Sequence, residues 1–268
     1  MQVNIDPTKW WQRIYAALIF FTRLPFWRLY QPPQACYKSV VEHWPLVGWL
    51  TGGTMAVIIY VGSMFLPYTL AILLAIVVRV LITGALHEDG LTDFFDGFGG
   101  GGNDRERILA IMKDSRIGTY GVLGIIFYEL ILFFALYSIP PVYAALAVFA
   151  GDAYSKMVAG QIIMFLPYAR TEETSKAHTV YRRFNTKTGI GLFIQGILPL
   201  LPLLYWENTW GMLRWNLVVF VPCIVMYVLY YMMNKKLHGY TGDCCGALFL
   251  LIELAFYLTV AIQLHPAG

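Results

Sequence analysis

Long apolar runs alternate along this chain with shorter polar connections. A helix needs about 20 predominantly apolar residues to cross the hydrocarbon core of a bilayer. Seven stretches approach that length: residues 46–66, 69–86, 120–139, 142–166, 189–205, 215–233 and 247–264. The fifth is interrupted by Pro199 and Pro202, which lack an amide and crowd the preceding turn. Ahead of them, the apolar run from Ile14 to Phe21 is short and is flanked by Arg13 and Arg23. With Trp10, Trp11, Phe26 and Trp27 it predicts an interfacial amphipathic segment rather than a cleavable leader. No internal repeat is visible. The expected fold is an all-α, polytopic membrane bundle of about seven spans, forming a single membrane domain over residues 1–268.

Composition supports that class. The 268 residues are 58% hydrophobic and 13% charged, with mean hydropathy +0.60. Soluble chains are about 45–50% apolar and about 25% charged. This excludes a soluble enzyme, a disordered chain, a collagen-like repeat and a disulfide-stapled secreted domain. Cys36, Cys223, Cys244 and Cys245 form neither a C-x-x-C pair nor a zinc spacing, and read as buried reduced thiols.

The net charge of +3 hides a sorting. Lys9, Arg13, Arg23, Arg28 and Lys38 precede the first span; Arg105, Arg107, Lys113 and Arg116 follow the second. Arg170, Lys176, Arg182, Arg183 and Lys187 follow the fourth, and Lys235 and Lys236 the sixth. With seven spans, these 16 of 19 basic residues share one side. The positive-inside rule puts that side in the cytoplasm, with the N-terminus inside and the C-terminus outside. Residues 1–45, 87–119 and 167–188 are then cytoplasmic. The outer connections are too short to build a site, so chemistry is expected at the cytoplasmic face.

The densest acidic cluster begins where the second span ends: His87-Glu88-Asp89-Gly90-Leu91-Thr92-Asp93-Phe94-Phe95-Asp96-Gly97. Asp89, Asp93 and Asp96 are spaced four and three, which on a helix puts three carboxylates on one face. Like charges so placed call for a hard divalent cation, Mg²⁺ or Mn²⁺. Such a metal neutralises a diphosphate and its leaving group during displacement. The plain alternative is a solvated acidic helix end. The following glycines, Gly100 and Gly101 among them, suit close approach of backbone amides to phosphate, or simply a flexible linker. Lys113 and Arg116 suit phosphate oxygens, or only set topology. Within the spans, Arg79, Glu129, Asp152, Lys156 and Glu253 are either functional or internal ion pairs that lock the bundle. Asp152 and Lys156 lie one helical turn apart and can pair. Asp243 starts the last span from the cytoplasmic side, within reach of the acidic cluster.

Four motifs taken together resemble the cobalamin synthase (adenosylcobinamide-GDP ribazoletransferase) family: Thr22-Arg23-Leu24-Pro25, His87 to Gly97, Ile111 to Gly121, and Tyr240-Thr241-Gly242-Asp243 with Gly246-Ala247. They occur in the family's order across nearly the whole chain. The match thins between residues 144 and 237, where Lys156 stands in place of the family's usual Arg. The resemblance implies a Mg²⁺-dependent, multi-pass enzyme of the bacterial inner membrane with its active site facing the cytoplasm. Its substrates would be adenosylcobinamide-GDP and α-ribazole, or α-ribazole 5′-phosphate. The products would be adenosylcobalamin, or its 5′-phosphate, and GMP. On this reading Asp89, Asp93 and Asp96 hold one or two Mg²⁺ ions, with Glu88 and Asp243 as further ligands. The ribose 3′-hydroxyl attacks the cobinamide-side phosphorus, one of the carboxylates or His87 takes its proton, and Lys113, Arg116, Gly100 and Gly101 hold phosphate. The lipid bilayer is a partner, nucleic acid is not, and a homo-oligomer is allowed. Rival readings are a CDP-alcohol phosphotransferase, whose Asp-Gly followed by Ala-Arg fails here because Asp96-Gly97 is followed by Phe98-Gly99, and a secondary transporter, for which no inverted repeat is visible.

Overall fold

The computed structural model describes residues 8–171 and 179–265. Lys176 of the expected basic loop lies outside the described residues. Among the described residues, twelve α-helices follow one another: α1 (Trp10–Phe21), α2 (Trp44–Gly62), α3 (Tyr68–Thr83), α4 (Leu86–Gly100), α5 (Arg105–Lys113), α6 (Thr119–Tyr137), α7 (Pro141–Gly160), α8 (Ile162–Phe165), α9 (Thr186–Ile197), α10 (Leu200–Trp210), α11 (Trp215–Leu237) and α12 (Gly242–Leu264). A 3₁₀ stretch, Gln34–His43, runs directly into α2. Among the described residues there is no strand, only an isolated parallel bridge between Tyr168 and Tyr240. The fold is the expected all-α membrane bundle.

Four helical segments are long and apolar enough to cross a membrane: Gln34–Gly62, α6, α11 and α12. Two bent pairs pass the same test jointly: α3 with α4, bent by 89°, and Thr186–Ile197 with Leu200–Glu207, bent by 43°. Among the described residues that gives four spans, or up to six if each bent pair is one span, where seven were expected. The second bend falls at Pro199, which starts α10. The stretch that drops out is the fourth, now α7, because it carries Asp152, Lys156 and many small residues. A helix needs an apolar surface only where it meets lipid. α7 is buried along almost its whole length, packed against α2, α9, α10, α11 and α12.

Close packing around α7 follows from small residues. A Cβ on Gly48 would lie 2.8 Å from the Ala153 Cα, and one on Gly52 would lie 2.7 Å from the Val148 carbonyl oxygen. Such small-x-x-x-small faces let membrane helices approach closely. Between them sits a polar knot. The Lys156 ammonium pairs with Asp152 one turn away, donates to Thr51 Oγ1 at 3.1 Å, and lies 4.1 Å over the Phe249 ring. Thr51 in turn donates to Asp152 Oδ2 at 2.7 Å.

The 89° corner sets the site. Gly84 (φ 65°) and Ala85 (φ 57°) are two successive left-handed residues between α3 and α4. Glycine takes that conformation freely, whereas for alanine it costs about 1–2 kcal/mol. Arg23 braces the turn: its amide donates to the Ile82 carbonyl at 2.6 Å, and its side chain packs over Gly84. The Thr22–Pro25 motif thus buttresses the point where the acidic helix departs.

Removing one partner of a buried ion pair strands the other charge, typically at about 3–5 kcal/mol. Lys156→Met should therefore sharply lower the thermal midpoint of the detergent-solubilised protein, and adding Asp152→Asn should recover most of the loss. An unchanged midpoint for the single variant would remove the pair from the account of stability.

Candidate active site

Helix α4 crosses the start of α12 at two glycines. A Cβ on Gly90 would lie 3.0 Å from the Asp243 Cα, and one on Gly246 would lie 3.1 Å from the His87 carbonyl oxygen. The backbones therefore touch, and side chains from both helices turn into one cavity of about 310 Å³. Thr241 begins α12, its Oγ1 accepting from the Cys244 amide at 3.2 Å. Asp243 occupies the first turn, where the helix dipole favours an anion. The bridge from Tyr168 to Tyr240, with Ala169 N donating to Tyr240 O at 2.7 Å, brings Arg170 to the same cavity. Its polar lining includes Asp89, Asp243, His87, Arg170 and Thr241; its walls include Phe20, Phe21, Trp44 and Tyr181.

The acids along α4 part company in their surroundings. Asp89 is exposed and lines the cavity. Asp93, one turn on, is half-buried. Asp96 is buried and turned toward α6, accepting from the Gly118 amide at 2.7 Å and the Gly121 amide at 2.8 Å. These are orphan donors at the start of α6, so Asp96 caps that helix from a distance. Glu88 is buried and faces Arg79, with an N–O distance of 3.8 Å.

Arg79 is the centre of a second buried network. Its Nη1 donates to Glu253 Oε2 at 2.6 Å and its Nη2 to Tyr128 Oη at 3.2 Å. Tyr257 donates to the other Glu253 oxygen at 2.7 Å. Arg79 and Glu253, left open by the sequence, are thus an ion pair that locks helices, as are Asp152 and Lys156. Glu129 is half-buried on α6, near Arg79.

The remaining expected residues sit outside the cavity. Gly100 ends α4, and Gly101 packs on α5, where a Cβ would lie 2.9 Å from the Ile108 Cα. Lys113 and Arg116 are exposed. Arg116 Nη2 donates to Asp114 Oδ2 at 2.7 Å, and this hydrogen bonding holds the Asp114 carboxyl down, to about 2.

Among the described residues, no three His, Cys, Asp or Glu side chains gather closely enough to form a metal cage. Mg²⁺ does not need one: it is usually held by one or two carboxylates together with substrate phosphates and water. Asp89 and Asp243, two oxygen donors on touching helices lining one cavity, fit that requirement. Sequence reasoning missed Arg170 and the aromatic wall. Arg170 is one of five basic residues in its loop, and only the Tyr168–Tyr240 bridge singles it out.

Residues 13–261 match the family described as cobalamin-5-phosphate synthase. The chain belongs to that family. It is 32% identical over 263 residues to the adenosylcobinamide-GDP ribazoletransferase of Leptospira interrogans serogroup Icterohaemorrhagiae, covering 94% of this chain and 96% of the relative. It is 35% identical over 266 residues to the enzyme of the same name from Shewanella frigidimarina, with the same shares covered. No solved structure matches. The resemblance carried by the four motifs is borne out, and the family match runs through α1, the acidic helix, the cavity and most of α12.

Asp96→Asn leaves one amide of α6 without its ionic acceptor, and hydrogen bonds to a charged group contribute about 1.5–3 kcal/mol. Asp96→Asn should lower the thermal midpoint while keeping the affinity for Mg²⁺ near wild type. A wild-type midpoint with a large loss of Mg²⁺ affinity would instead make Asp96 a ligand.

Proposed function

We propose that this chain closes the nucleotide loop of coenzyme B12 at the α4–α12 cavity, on the cytoplasmic face of the bacterial inner membrane. It transfers adenosylcobinamide phosphate from adenosylcobinamide-GDP to α-ribazole, or its 5′-phosphate, and releases GMP. The observation that carries this reading is the meeting of Asp89, Asp243, His87 and Arg170 around one cavity, within the region matched to the family.

Asp89 and Asp243, with Asp93 one turn further along α4, would hold Mg²⁺. When bound, Mg²⁺ would neutralise the diphosphate and the charge developing on the departing GMP. Arg170 is half-buried, with Nη2 fixed to the Leu109 carbonyl at 2.9 Å and Nε without a partner. Its guanidinium is thereby held as a forked phosphate donor. His87 lines the cavity, and its Nε2 has no hydrogen-bond partner; it takes the proton of the attacking 3′-hydroxyl. Lys113 and Arg116, exposed on α5 and just beyond it, meet the outlying anionic parts of the donor. The basic residues of the same loops orient the protein and concentrate an anionic substrate.

Detergent-solubilised protein supplied with adenosylcobinamide-GDP, α-ribazole and Mg²⁺ should release GMP, and should stop doing so when any of the three is withheld. Asp89→Asn and Asp243→Asn should each lower kcat by about 10²-fold or more, with folding intact. Absence of GMP from the wild type under every condition would overturn the proposal; near-normal turnover of both variants would remove the metal from this cavity.

A further inference from the structure

One wall of the cavity is built from rings. Phe21 and Trp44 are nearly parallel, 5.2 Å apart and inclined by 13°. His87 continues the set, 5.7 Å from Trp44 at 23° and 6.1 Å from Phe21 at 14°. Phe20 and Tyr181, edge to face at 6.2 Å, line the same space. Phe20 stands nearly perpendicular to Phe21, 4.9 Å away at 84°, so the rings form an aromatic corner in which a flat ring packs face-on to some and edge-on to others.

Two of these rings also carry an unanswered polar atom. Trp44 is 1% exposed and its Nε1 has no partner; His87 is 3% exposed and its Nε2 has none. An indole N–H can only donate, and a buried donor left without a partner is destabilising. Neither aromatic packing nor the Asp89–Asp243 chemistry accounts for it. A flat ring with an in-plane nitrogen acceptor would supply what Trp44 lacks.

Size and polarity narrow the ligand. At about 310 Å³, the cavity lies at the low end of ligand pockets, about 300–1,000 Å³. It suits a bicyclic base with part of its ribose and cannot take a corrin macrocycle. Guanine presents donors and acceptors around most of its edge, and this apolar wall would leave many of them unsatisfied. A benzimidazole-type base has one free ring nitrogen and an otherwise apolar outline.

We propose that the Phe20–Phe21–Trp44 wall is the subsite for the planar nitrogen heterocycle of a nucleoside, and that the nucleoside is the acceptor, with its base packed into the aromatic corner, edge-on to Trp44, and its ribose turned toward Asp89 and Asp243. This rests on the reading of the cavity as the transfer site. Trp44 and its neighbours are then specificity-determining residues, setting which lower base the enzyme accepts.

The test is calorimetric titration of the full-length, detergent-solubilised protein with α-ribazole and, separately, with GDP. Two variants are compared with wild type: Trp44→Phe, and Phe20→Ala at a half-buried ring whose loss is better tolerated. Both should weaken α-ribazole binding by about tenfold, as expected for the loss of one aromatic or hydrogen-bonding contact, and leave GDP binding within twofold. Weakened GDP binding with α-ribazole unaffected would overturn the proposal in favour of a guanine subsite. No change for either ligand, or no α-ribazole binding to wild type, would overturn it outright. Because GMP release by the wild type is measured separately, failure here with turnover intact would leave the transfer reading standing.

Discussion

A guanidinium buried in the middle of a membrane bundle must find anions there. Arg79 is 1% exposed, and it reaches Glu253 of α12, Tyr128 of α6 and Glu88 of α4. An isolated charge at that depth costs several kcal/mol, so these helices are obliged to meet at its level. The meeting point lies just before the corner where α3 gives way to α4. Glu88 is thereby drawn into the bundle. Asp89, the next residue round the helix, is left facing out into the cavity. The orientation of the first turn of α4 follows from this anchoring more than from any property of the acids themselves.

This explains which parts of the site could be read from the chain. The spans and the sorting of basic residues depend on local composition, and composition is fully present in a sequence. The helical spacing of Asp89, Asp93 and Asp96 was equally legible, and α4 is a helix. What spacing cannot report is the neighbour each acid meets. Asp96 meets the amides of Gly118 and Gly121 because α6 docks beside it, and Glu88 meets Arg79 because α3 folds back at Gly84. The glycine run was ambiguous for the same reason: its tight fit on α5 appears only once α5 is in place. A hydropathy test alone passes over α7, because this helix carries Asp152 and Lys156 and is buried along almost its whole length.

The motifs of the N-terminal segment gain a physical meaning in the same way. Thr22–Pro25 contains no group suited to catalysis. Yet Arg23 bonds the end of α3 and covers the left-handed Gly84–Ala85 turn, whose distortion the packing must hold in place. Two residues earlier, Phe21 is part of the aromatic wall. Helix α1 is therefore a working part of the site's framework. It fixes the corner from which the acidic helix starts and contributes one wall of the cavity which that helix opens into.

The two buried networks differ in what they leave available. Asp152, Lys156 and Thr51 satisfy one another within α2 and α7, and no atom of that set lines the cavity. The Arg79 network ends on Glu88, one residue from both His87 and Asp89, and Glu88 Oε2 has no hydrogen-bond partner. The brace is thus coupled through the backbone to the two α4 side chains placed nearest the proposed chemistry. A change at Arg79 would act on α4 through its first turn and shift Asp89 relative to Asp243. On the proposed reading, both carboxylates must serve one cation. A displacement of about 1 Å in such a constellation is enough to cost about 10²-fold in rate. The buried arginine, which touches no substrate, thereby becomes the residue on which the geometry of the metal pair depends.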